Sequence, residues 1–135
     1  MTRRKYLLDT NICISYFKNK YHIPEKIESV GIENCYISEI TVAELLYGAA
    51  VGKNPRNRDE ISSLIKVFDV LPIYDCLEVF AETKALLREQ GNLIDNFDLL
   101  IGSTAIINQC VMVTENTKHL ERIPNLQIEN WIDRE

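Results

Sequence analysis

One pairing recurs along this chain and constrains its fold more than anything else. An apolar run too short for a helix closes in polar residues, and helical spacing follows. Tyr6-Leu7-Leu8 ends in Asp9-Thr10-Asn11, and Ile12–Phe17 continues as a helix. Cys35-Tyr36-Ile37 ends in Ser38, and Val42, Leu45, Leu46 and Ala49 then recur at helical intervals. Cys110-Val111-Met112-Val113 ends in Thr114-Glu115-Asn116, with Thr117–Leu120 forming a helical turn behind it. Short buried strands alternating with helices form parallel β-α-β units. Right-handed crossovers place every strand end and following helix start along one edge of the sheet. The expected fold is α/β: a three-layer α/β/α sandwich around a mainly parallel sheet of four to five strands.

The other elements fit this plan. The first strand spans residues 6–9 and its helix 11–18. Pro24 opens a short helix over 24–31, with Glu25 in its first turn and Gly31 at its end. A polar, mobile connection covers 52–57, followed by a helix over 58–68. Residues 70–73 read as an edge strand, because Pro72 has no N–H for a ladder. Asp75 caps a helix running to about Gln90, and Gly91 stops it. A polar loop over 92–96 leads into a helix over 97–107 that is apolar almost all round. Its small residues Gly102, Ser103 and Ala105 suit a central, closely packed position. Leu126-Gln127-Ile128 alternates like a short edge strand, and Trp131 packs near the C-terminus.

A length of 135 residues suits one domain spanning 1–135. A net charge of −5 excludes a general polyanion-coating protein, while leaving room for a local basic rim that handles phosphates. No apolar run reaches membrane-spanning length. The basic start is followed by Asp9 and Asn11 rather than a signal-peptide core, so a cytoplasmic protein is expected. Cys13, Cys35, Cys76 and Cys110 form no Cys-x-x-Cys pair and sit in or beside apolar runs, as reduced core residues do. His22 and His119 are too few and too far apart for a zinc site.

Asp9, Glu44 and Asp98 carry the chemistry. Each has a local explanation. Asp9 can cap a helix, Glu44 can complete a capping box with Thr41, and Asp98 can serve as a helix-N-terminal acid. Yet all three fall at the same sheet edge, where α/β folds bind ligands. Carboxylates crowded together repel unless a cation lies between them. Oxygen-only ligation favours Mg²⁺ or Mn²⁺. With no Ser or Cys nucleophile paired to a His, and no glycine-rich phosphate loop, the chemistry left is metal-activated water attacking a phosphodiester.

The segments Leu8-Asp9-Thr10-Asn11, Ser38-x-x-Thr41-x-x-Glu44-Leu45-x-x-Gly48, Asp98-x-x-Ile101-Gly102-x-x-Ala105 and Val113-Thr114-x-Asn116-Thr117 resemble the PIN-domain ribonucleases, in that family's order and spacing. The similarity is greatest to the VapC toxins of bacterial toxin–antitoxin pairs and extends through Glu129-Asn130-Trp131. It implies that Asp9, Glu44 and Asp98 bind one or two Mg²⁺ or Mn²⁺ ions in an endoribonuclease acting on transfer or ribosomal RNA and leaving a 5′ phosphate and a 3′ hydroxyl. Thr10, Asn11 and Thr114 match supporting positions. The fourth ligand stays open among Asn116, Glu115 and Asp95, because an acid of many relatives is His119 here and Asp95 stands where Gly is common. Glu39 is set aside, since alternation from Ser38 aims it elsewhere.

Lys53, Arg56, Arg58, Lys118, His119 and Arg122 are candidate phosphate contacts, with solvated surface charge as the plainer reading. The resemblance further implies a VapB-like antitoxin that covers the acidic pocket, and a homodimer formed through the early helices, where Ile14, Phe17, Leu46 and Tyr47 could face a partner. Two other readings compete. A catalytically weakened PIN-like domain would only bind RNA or a partner. A receiver-like phosphoacceptor domain would need a strand-end Lys and a paired acid beside Asp9, which the chain lacks.

Overall fold

The computed structural model describes residues 3–134; Met1, Thr2 and Glu135 lie outside it. Five strands make one sheet in the order β3-β2-β1-β4-β5. They are β1 Lys5–Leu8, β2 Cys35–Ser38, β3 Asp69–Leu71, β4 Cys110–Val113 and β5 Ile128–Glu129. Every neighbouring pair is parallel, so the chain crosses over a helical layer between strands. β1 is central, pairing Tyr6 with Cys35 on one side and Leu7 with Met112 on the other.

The helices are α1 Thr10–Phe17, α2 Ile23–Val30, α3 Glu39–Gly52, α4 Pro55–Val67, α5 Leu77–Glu89, α6 Asn96–Ile107 and the single turn α7 Thr117–Leu120. Strand alternation divides the core between the two faces of the sheet. Tyr6 and Leu8 join α1, α2, α3 and α4 in one cluster through Ile12, Ile27, Leu45 and Leu64. Leu7 and Met112 join Leu87 of α5 and Leu99 and Ile101 of α6 in the other. Trp131 lies on Tyr6 with ring centroids 5.3 Å apart, which fastens the C-terminal segment to the central strand. Among the described residues, no helix is long and apolar enough to cross a membrane.

α6 is as central as its composition requires. A Cβ on Gly102 would stand 2.5 Å from Cδ1 of Ile123, so a side chain there would force the Ile123 side chain after α7 to shift. All four cysteines are buried and unpaired.

Several local expectations need correction. Ser38, not Thr41, caps α3: its hydroxyl accepts from the Ile40 N–H at 3.0 Å, so the helix starts directly where β2 stops. The mobile connection over 52–57 shrinks to Lys53 and Asn54, because Pro55 opens α4 and the Asn54 side chain caps it. Arg56 and Arg58 therefore stand on a helix. Asp75 lies in a 3-10 turn and does not cap α5, whose N-cap position is Cys76. The last strand falls at Ile128–Glu129, later than the 126–128 expected. Pro72 does follow an edge strand.

Candidate active site

Asp9 leaves the end of the central strand and becomes the N-cap of α1, so both local meanings of this residue hold at once. It is only 6% exposed, yet both carboxylate oxygens are satisfied. Oδ1 accepts from the Thr10 N–H at 2.8 Å, and Oδ2 accepts from the Thr114 hydroxyl at 2.7 Å. Burial pushes its pKa up, opposed by these two hydrogen bonds.

From Asp9 a hydrogen-bonded line extends in both directions. On one side the Thr10 hydroxyl donates to Oε1 of Glu44 at 2.6 Å and lies 3.4 Å from the Thr41 hydroxyl. Glu44 thus faces α1 rather than closing a capping box. On the other side the Thr114 hydroxyl accepts from the Asn116 N–H at 2.9 Å, and Nδ2 of Asn116 donates to Oδ2 of Asp98 at 3.3 Å. Glu44, Thr10, Asp9, Thr114, Asn116 and Asp98 form one continuous row along the carboxyl edge of the sheet.

The Asp98 end is charged and shallower. Its pKa is pushed up to about 6, first by burial and then by the negative charges of Asp9, Asp95 and Glu44, with His119 opposing. Asp95 caps α6, its Oδ2 accepting from the Phe97 N–H at 3.0 Å. It therefore acts on Asp98 through charge and through helix placement. Among the described residues, no three Asp, Glu, His or Cys side chains stand close enough together to hold an ion. The donor set is nevertheless all oxygen, and the mutual repulsion at Asp98 is what a hard divalent cation relieves. The side-chain oxygen of Asn11, beside the first acid in the chain, is buried without a donor.

The other candidates separate. Glu115 turns away from the acids and is held by Arg134, whose guanidinium also donates to the Tyr21 hydroxyl at 2.9 Å and stacks over that ring. Glu39 accepts from the Ile73 N–H at 3.0 Å, off at the β3 edge, as strand alternation required. Lys118 and His119 are exposed on α7, and Lys53 is exposed in a left-handed turn. Arg56 lies 3.4 Å from Glu60, and Arg122 donates to the Leu93 carbonyl at 3.2 Å, so each already has a partner. Ile14 and Tyr47 are 40% and 73% exposed, while Phe17 and Leu46 are partly covered. No local pattern marked Arg134: its partners Glu115 and Tyr21 are far away in the chain.

Comparison with known proteins identifies the family. The PIN domain family matches residues 6–126. The chain is 39% identical over 133 residues to ribonuclease VapC2 of Rickettsia felis, covering 93% of this chain and 97% of that one. It is 35% identical over 130 residues to the tRNA(fMet)-specific endonuclease VapC of Shigella flexneri, covering 94% and 98%. The fold superposes on a crystal structure of Rickettsia felis VapBC2 bound to a promoter DNA fragment, with a TM-score of 0.87 and 34% identity over 93% of this chain and 98% of that one. With nearly the whole length matched in sequence and in space, the chain belongs to the PIN domain family, among its VapC members.

Proposed function

We propose that the protein is a divalent-metal-dependent endoribonuclease that hydrolyses RNA phosphodiester bonds, and that an antitoxin of the VapB type holds it in check. The observation that carries the reading is the row from Glu44 through Asp9 to Asp98, whose acids are linked through hydroxyls and an amide.

Asp9, Glu44 and Asp98 would hold Mg²⁺ or Mn²⁺, with Asn116 beside Asp98 as the fourth member. When bound, the ion supplies Lewis-acid activation of water and neutralises charge at the phosphate. The chain's own residues do the rest. Thr114 and the Thr10 N–H fix both oxygens of Asp9, so its orientation survives burial. The Thr10 hydroxyl aims Glu44. Asp98, partly exposed at the shallow end of the row, would take the proton of the attacking water. The leaving group is the 3′ oxygen, so the products are a 5′ phosphate and a 3′ hydroxyl. Lys118 and His119, exposed on α7, would contact the RNA backbone. Transfer RNA is the favoured substrate, since a relative at 35% identity is named as a tRNA(fMet)-specific endonuclease. The VapBC2 complex from Rickettsia felis supports an antitoxin partner. Exposed Ile14 and Tyr47 suit a homodimer through the early helices.

Mapping cleavage ends across total cellular RNA, with and without Mg²⁺ and beside an Asp98→Asn variant, tests this. Discrete new ends bearing 5′ phosphates are expected only for the wild type with metal. Intact RNA in every lane would leave a domain that only binds RNA or its partner.

A further inference from the structure

Thr41 is left without a local role once Ser38 caps α3. It is fully buried in the first turn of that helix, and Glu44 stands three residues later. Residues three apart on a helix share a face, so the hydroxyl and the carboxylate are turned together towards α1. Both meet the Thr10 hydroxyl there: Oγ1 of Thr10 lies 2.6 Å from Oε1 of Glu44 and 3.4 Å from Oγ1 of Thr41. Among the described residues, the Thr41 hydroxyl has no other hydrogen-bond partner.

Proton counting fixes the direction of this contact. An ionised Glu44 can only accept, so the 2.6 Å contact uses the one proton of the Thr10 hydroxyl. The proton between the two hydroxyls is then the one on Thr41, donated to the Thr10 oxygen. A hydroxyl that accepts one hydrogen bond is polarised and donates a stronger one. At 3.4 Å the first bond is long, so its main effect is on direction: it keeps the Thr10 hydroxyl turned to Glu44. Folding alone gives no reason for this group. Valine has the outline of threonine and would fill the buried position without desolvating a hydroxyl. Glu44 is partly exposed and carries three rotatable bonds, so an aimed oxygen has to be held by its neighbours.

We propose that Thr41 is a positioning residue of the acidic row, holding Glu44 in its ion-binding orientation through the Thr10 hydroxyl. The inference rests on the metal-dependent reading and adds a buried hydroxyl that acts on the acid only through a neighbour. It also gives the Thr41-x-x-Glu44 spacing a purpose other than a capping box. The interval that would close a helix end instead stacks a brace one turn from the acid it steadies.

The test is a Mn²⁺ titration of the RNA-free protein, read from the EPR signal of the free ion, beside melting curves in EDTA. Thr41→Val should weaken Mn²⁺ binding about tenfold, the lower end of what the loss of a group behind a metal ligand costs. Thr41→Ser keeps the hydroxyl and should bind like the wild type. Thr10→Val removes the link and should weaken binding at least as much as Thr41→Val. The double variant should bind no more weakly than Thr10→Val alone, since Thr41 then has nothing to act through. Melting of Thr41→Val in EDTA should match the wild type. If the valine variant does not fold, Thr41→Ala is carried through the same comparisons. Three results overturn the proposal: unchanged affinity in Thr41→Val, a serine variant as weak as the valine one, or losses that add in the double variant. Failure of the wild type to bind Mn²⁺ at all would instead overturn the metal-dependent reading beneath it.

Discussion

The two ends of the acidic row are built on opposite principles. Around Asp9 the site is deep, and both oxygens of the acid are matched: one takes a backbone N–H and the other a buried hydroxyl. Around Asp98 it is shallow and under-compensated, with three other carboxylates acting on it and one long amide contact at 3.3 Å. A buried charge with full hydrogen bonding is held in place whether or not an ion is present. A crowded, half-exposed charge is held in reserve, because its repulsion is relieved when a cation or a proton arrives. The deep end fixes position, and the shallow end would supply the driving force for the proposed ion.

Activity should not distinguish the two ends. Asp9→Asn, Glu44→Gln and Asp98→Asn are each expected to lower metal-dependent cleavage of a defined RNA by at least about 10³-fold, or roughly 4 kcal/mol of transition-state stabilisation. A variant within tenfold of wild type would remove that acid from the site. Stability should separate the ends. Thr114→Val leaves an Asp9 oxygen and the Asn116 N–H without their shared hydroxyl, and urea unfolding should show a loss of about 2–3 kcal/mol.

At the shallow end the sign reverses. The Asp98 carboxyl is raised from 3.8 to about 6 in the folded protein. Below about pH 3 it is neutral in both states and costs nothing; the penalty grows as pH rises from about 4 to about 6 and then levels off. Asp98→Asn should therefore stabilise the metal-free protein by about 1 kcal/mol above pH 7, a figure that discounts the shift for partial exposure, and by nothing near pH 3. Equal melting temperatures for variant and wild type in EDTA across that range would refute the strained-carboxylate account. The smallest effect belongs to Arg134→Ala. Its ion pair is at the surface, so cleavage and melting should both stay close to wild type. A clear change in cleavage would show that freed Glu115 enters the site.

The positions of Asp9, Glu44 and Asp98 were readable because a parallel sheet converts strand ends into one edge, so separate motifs become neighbours. Boundaries were less legible. Ser38 and Thr41 are both good caps by chemistry, and only the end of β2 decides between them. Asn54 followed by Pro55 was a readable helix start, hidden under a loop-like composition. Asp95 could have been recognised as a cap from its spacing before Asp98, since its side chain accepts from the Phe97 N–H. The bonds from Asn116 to Asp98 and from Arg134 to Glu115 depend on how α7 and the C-terminal segment lie against the sheet. No local pattern encodes such placements.

The central position of β1 has a consequence during protein synthesis. Asp9 emerges long before the hydroxyl that holds it, which is 105 residues further on, in the segment that follows β4. A nascent chain carrying Asp9, Glu44 and even Asp98 still lacks β4 and cannot assemble its acidic centre. On the ribosome, surrounded by the RNA it is expected to attack, the chain would lack a complete acidic centre until β4 and Thr114 have been made.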